Sequence, residues 1–142
     1  MPGPRRAPAG PAVQLLPSTP AAALERADEA VDQLLESGRD PGDILVLTAA
    51  APHPWQQHEL TFGEQHYWAQ LAEGADVFYA DLATSRPVRR EVVVLVLDGT
   101  SAASAAQALQ KALTHAGALL VVCGATAGLA GHPAVGGQTV RA

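Results

Sequence analysis

Val92-Val93-Val94-Leu95-Val96-Leu97, followed at once by Asp98-Gly99-Thr100-Ser101, is the stretch that decides the fold. Six apolar residues without alternation do not suit a strand with one wet face. They predict a strand buried on both faces, the environment of a parallel sheet covered by helices. Asp98-Gly99 is turn chemistry, and the hydroxyls of Thr100 and Ser101 suit a helix start. From there an alanine-rich helix is expected to run to Ala116, with Ala105, Leu109, Leu113 and Ala116 on its inner face. Gly117 is expected to close it, and residues 119–123 to form the last strand.

The same alternation extends toward the N-terminus. Asp76-Val77-Phe78-Tyr79-Ala80 predicts a strand, and Ile44-Leu45-Val46-Leu47-Thr48 another continuous buried one. Between them, residues 49–61 carry prolines, histidines and a tryptophan without a period, and are expected to form a long loop. Thr61-Phe62-Gly63-Glu64 fits a capping box for a short helix bearing Tyr67, Trp68 and Leu71 and ended by Gly74. Upstream, Leu24, Ala27, Val31, Leu34 and Leu35 mark one face of a helix with Thr19 as cap, Pro20 at its first position and Gly38 as its stop. Val13-Gln14-Leu15-Leu16 predicts a first strand. The expected fold is three-layer α/β: a mostly parallel sheet of about five strands with helices on both faces. The expected domain is 12–124, between a disordered Pro/Ala-rich tail (1–11) and a flexible Gly-rich tail (125–142). In such sheets ligands bind beyond the carboxyl ends of the strands, here Thr48-Ala49, Asp81, Asp98-Gly99 and Cys123-Gly124.

Composition narrows the function classes. The 142 residues suffice for one domain, and 48 % of them are apolar but only 4 % aromatic; with 29 alanines and 13 glycines, the core must be built by close backbone approach. Nine Lys and Arg against 14 Asp and Glu give a net charge of −5, the opposite of a non-specific nucleic-acid binder. One cysteine, Cys123, makes neither a disulfide framework nor a thiolate cluster. No apolar run approaches a membrane span, so a cytoplasmic protein without membrane contact is expected.

Several motifs have a functional and a commoner structural reading. Cys123-Gly124-Ala125-Thr126-Ala127-Gly128 follows a strand like a dinucleotide loop, but 11 residues after Gly131 leave no room for the second strand such a site requires. His53, His58, Glu59, Glu64 and His66 cluster without a standard metal-ligand spacing, so loop hydrogen bonding is expected and no metal. Trp55, Phe62, Tyr67 and Trp68 suit a small hydrophobic cluster better than a base-stacking platform. Arg86-Pro87-Val88-Arg89-Arg90 is the one concentrated positive run beyond Arg5-Arg6. Its residues Arg86, Arg89 and Arg90 are candidate contacts to an anion or nucleic acid, against the commoner solvated loop. No Gly-x-x-x-x-Gly-Lys-Ser/Thr loop, Gly-x-Ser-x-Gly elbow or Cys–His pair is present.

From about Val13 to Gly124 the chain resembles the second motor domain of UvrD/Rep-type superfamily 1 helicases. Gly42-Asp43-Ile44-Leu45-Val46-Leu47-Thr48 is similar to that domain's Gly-Asp-Ile-x-Val-Leu strand. Asp76-Val77-Phe78-Tyr79-Ala80 followed by Val92-Val93-Val94-Leu95 is similar to a second motif pair, with its spacing kept. Residues 109–124 match a third, helix–strand pattern without a gap. The resemblance implies a RecA-like fold of the P-loop NTPase superfamily.

The departures bear on activity. Where the family carries Lys-Gly-Leu-Glu, this chain has Arg86-Pro87-Val88-Arg89, and Pro87 cannot take the role of a flexible glycine. The family's arginine finger falls on His115, its second arginine on Gly117, and the arginine after the second strand on Ala49. A neutral imidazole does not replace a fixed guanidinium on a developing phosphate, and such fingers are worth roughly 10³-fold or more in rate. The resemblance therefore implies a degenerate, non-catalytic relative that needs no cofactor and acts as an interaction or regulatory module, with a protein partner such as a helicase or nuclease component. The alternative is a weak nucleotide or single-stranded nucleic-acid binder using Arg86, Arg89 and Arg90.

Overall fold

The computed structural model describes residues 11–49, 54–73, 77–82, 89–97, 102–124, 126 and 129. Five strands, β1 (Ala12–Pro17), β2 (Ile44–Thr48), β3 (Phe78–Asp81), β4 (Arg90–Leu97) and β5 (Ala116–Gly124), form one sheet in the order β1-β5-β4-β2-β3. Every pairing is parallel. The helices are α1 (Ala23–Glu36), α2 (Pro54–Leu60), α3 (Glu64–Glu73) and α4 (Ala102–Leu113). This is the three-layer α/β architecture expected from the unbroken apolar runs: every residue of β2, and Val92 to Leu97 of β4, is buried.

Alternate residues of each strand feed two separate cores, because successive side chains leave opposite faces of a sheet. On one face Ile44, Val46, Val92, Val94, Val96, Val121 and Cys123 pack under α1, which contributes Ala23, Ala27, Ala30 and Val31. On the other, Leu45, Leu47, Val93, Leu95, Leu97, Leu120 and Val122 pack under α3 and α4, which contribute Tyr67, Ala105, Ala108, Leu109 and Ala112. Alanine stripes on α1 and α4 let their backbones approach the sheet closely, so few aromatics are needed. The α1 stop is as expected: Gly38 has φ +102°, Arg39 N donates to Leu34 O and Gly38 N to Leu35 O, the bonds of a Schellman motif.

Five expectations change. Thr19 caps a 3-10 turn, Pro20–Ala22, that precedes α1: its Oγ1 accepts from Ala22 N at 3.2 Å, and α1 begins at Ala23 with no side-chain cap. Residues 54–60, inside the expected long loop, form α2; seven residues are under two turns, too few to display a period, and Pro54 fits a helix start because its missing N–H is not needed there. Thr61 does not cap α3: its hydroxyl donates to His58 O at 2.6 Å, closing the end of α2 instead. Gly117 is not a helix stop. Helix α4 ends at Leu113, and Gly117 lies in β5 where the register passes from Arg90↔Ala116 to Val92↔Leu119. Glu91 there faces two residues, a β-bulge, and a Cβ on Gly117 would sit 3.3 Å from Glu91 Oε2. Finally, the core reaches beyond residue 124: Leu129 is fully buried, and its amide donates to Thr126 O.

Candidate functional site

The carboxyl ends of the strands line up. Thr48 stands level with Asp81 on one side and Val96 on the other, and Leu97 is level with Gly124, itself level with Pro17. Buried Thr48 directs Oγ1 at Asp81 Oδ1, 3.5 Å away, and Leu82 N donates to Thr48 O. Burial raises the Tyr67 hydroxyl above its ordinary range, and the Asp81 carboxylate raises it further. That hydroxyl donates a short hydrogen bond to Tyr79 O on β3. From α2, Gln56 is buried, and its Oε1 has no hydrogen-bond partner. The sequence signal for Gln56 is its i,i+4 spacing from Leu60, which packs on the core.

Gly124 occupies this end with φ +118°, and a Cβ there would lie 2.5 Å from Leu97 O and 2.9 Å from Ala23 Cβ. Its glycine is thus required by close approach of β4 and α1. A dinucleotide loop is not needed to explain it.

At the amino end of the sheet a depression of about 550 Å³ is lined by Asp43, Arg89, Arg90, Glu91 and Gly117, among others. Arg89 is exposed, with Nη1 3.5 Å from Thr114 O. Arg90 is different. It is 8 % exposed, and Nη1 donates to Ile44 O at 2.9 Å and Pro41 O at 3.4 Å, while Nη2 donates to Leu71 O at 3.4 Å. Its Cζ lies 5.7 Å from the Phe78 ring centroid. The candidate basic run is therefore split: Arg90 turns inward as a structural tie between the residues before β2, β2 itself and α3. Arg86 and Pro87 lie outside the described residues.

The positions that the resemblance sets against arginines do not converge. Ala49 follows β2 at the carboxyl end, with its N donating to Val96 O, whereas His115 precedes β5 at the amino end, with its O accepting from Arg90 N. Arg90 and Val96 lie six residues apart on one strand, roughly 20 Å at 3.3 Å per residue. His115 is buried; Gly117 is exposed on the same end.

The aromatics divide. Tyr67, Trp68 and Phe78 form a cluster with ring centroids 4.7–5.6 Å apart. Phe62 instead is 60 % exposed and meets His58 edge-on at 5.5 Å. His53 and Asp98 lie outside the described residues, as do the side chains of Trp55, Glu59 and His66. Among the described residues no group of three or more His, Cys, Asp or Glu is placed to hold a metal ion, and no helix is long and apolar enough to cross a membrane.

No protein-family model matches the chain, and a comparison with curated proteins finds no relative.

Proposed function

We propose that this chain is a non-catalytic α/β module, a degenerate relative of the helicase second motor domain, that works by binding a protein partner. What carries this reading is the fate of the cations. Arg90 spends its guanidinium on three main-chain carbonyls, and the positions aligned with phosphate-contacting arginines are Ala49, buried His115 and Gly117. Alanine and glycine offer no charge, and an imidazole offers no fixed one. The carboxyl-end row contributes Thr48 and Asp81, and a carboxylate repels a phosphate unless a cation stands between them.

The test is a titration of Mg-ATP into isotope-labelled protein, following backbone amide shifts. Flat shifts at Thr48, Asp81 and Gly124 up to millimolar nucleotide are expected. Saturable shifts clustered there would overturn the reading.

A second reading draws on exposed Arg89 beside the amino-end depression: weak binding of a nucleotide or single-stranded nucleic acid. It requires binding that weakens steeply with salt and with Arg89→Ala. The carboxylates of Asp43 and Glu91 around the same depression oppose it.

A further inference from the structure

The two edges of the sheet are finished differently. At β3 the Tyr67 hydroxyl occupies Tyr79 O, and α2 and α3 pack nearby. At β1 no described element covers the outer side; the strand pairs with β5 alone. It carries no charge: Pro11-Ala12-Val13-Gln14-Leu15-Leu16-Pro17. Charged side chains and prolines are the usual protections of an exposed edge; here the prolines stand only at the two ends, and the residues between them carry neither.

The direction of each main-chain group on β1 follows from one bond. Ser18 N donates to Gly124 O, so residue 18 faces β5. In a parallel ladder the N–H and C=O of one residue point the same way and alternate along the strand. Residues 12, 14 and 16 therefore also face β5, and 11, 13, 15 and 17 face outward. Both prolines fall on the outward set, where the absent N–H costs nothing to the sheet. Val13 and Leu15 are left with outward N–H and C=O groups.

We propose that the β1 edge is a homodimerisation surface, on which a second copy of this chain adds its own β1 antiparallel about a two-fold axis through Gln14. The pattern of the strand selects a second copy and fixes the register. Outward residues must meet as hydrogen-bonded pairs, so Val13 lies opposite Leu15 of the second copy and Leu15 opposite its Val13, giving four main-chain hydrogen bonds. The same register sets Pro11 opposite Pro17 at both ends. A proline opposite a proline loses no N–H donor to the interface, so the pairs at the two ends sacrifice no main-chain hydrogen bond that another register would make there. Ala12 then faces Leu16, and Gln14 faces Gln14 across the axis, where two exposed amides can bond to each other. An unrelated strand has no reason to place prolines at both of these positions. Two isologous edges close on each other, so the assembly stops at two copies with one continuous ten-stranded sheet instead of growing into a fibre.

Sedimentation velocity of the intact chain from micromolar to millimolar concentration is expected to show a monomer–dimer equilibrium. Gln14→Glu places like charges directly opposite at the axis and should raise the dissociation constant severalfold, with partial recovery in high salt. Gln14 is exposed, so the fold of the monomer is unaffected. Residues opposite in a non-hydrogen-bonded pair have Cα atoms about 4.5 Å apart, within disulfide range. Gln14→Cys should therefore cross-link to dimer under mild oxidation, whereas Ala12→Cys, whose copies are four residues out of register, should not. A chain that stays monomeric at millimolar concentration overturns the proposal. So does a dimer indifferent to Gln14→Glu, equal cross-linking at both positions, or a monomer whose β1 edge binds an unrelated extended peptide.

Discussion

Arg90 Nη1 lies 2.9 Å from the carbonyl oxygen of Ile44, in the interior of the domain. A buried guanidinium is tolerated because three carbonyls and an aromatic face replace its water. Arg90→Ala should cost about 2–4 kcal/mol, since it removes the donor shared by the Pro41, Ile44 and Leu71 carbonyls and leaves a void. Arg90→Lys should recover only part of this, because one ammonium cannot span the positions of a forked donor. Urea denaturation measures both. Unchanged stability in Arg90→Ala would mean that the residue is not a structural tie.

Gly124→Ala should be far more damaging than Gly38→Ala. Both positions have positive φ, and both substitutions pay about 1–2 kcal/mol of left-handed strain. Only at Gly124 would the new Cβ also collide with Leu97 O and Ala23 Cβ; at Gly38 it meets nothing within 4 Å. Thermal melts of the two variants are expected to differ by well over 5 °C.

Cys123 is buried beneath α1, and burial pushes its thiol from about 9 up to about 12, with Arg26 lowering it and Glu29 raising it to smaller extents. The neutral thiol is the form the fold favours. Its contribution is therefore complete below pH 9 and is lost as pH climbs from about 9 toward 12, where the unfolded chain gives up this proton first. Cys123→Ala should flatten the fall in urea midpoint over that window. At pH 8 the native thiol should react with an aromatic disulfide reagent only at the rate of unfolding.

Tyr67→Phe removes one hydroxyl and leaves Tyr79 O without that donor. A loss of about 1–2 kcal/mol in urea denaturation is expected. The high-pH titration of this phenol, raised by burial and then by Asp81, should disappear from the ultraviolet spectrum of the variant.

The strands were legible because β2 and β4 are unbroken apolar runs, a pattern that sheet burial on two faces demands. Helix α2 was illegible for the opposite reason: a seven-residue helix buries too little to imprint a period. Arg90 reads with its neighbours as one charge run, although its attachment to the apolar run of β4 is a signal that it belongs to a strand. Which carbonyls would receive it depends on the meeting of β2, α3 and β4, and no local spacing encodes that. Gly117 looked like a helix stop because a glycine after an alanine-rich helix usually is one, and a bulge uses the same residue for a different reason. The resemblance aligned Ala49 and His115 with one family of contacts, and tertiary structure sets them at opposite ends of the sheet.

Among the described strands β1 pairs with β5 alone: Ala12 stands beside Leu119 and Pro17 beside Gly124. During synthesis β1 leaves the ribosome ahead of the other four strands and must wait, unpaired, until β5, which begins at Ala116, has followed it. Contacts so distant in sequence are the slow ones to form. Chains interrupted anywhere before residue 116 would emerge with an uncharged apolar segment and no strand to receive it, and quality control in the cell would meet them as aggregation-prone fragments.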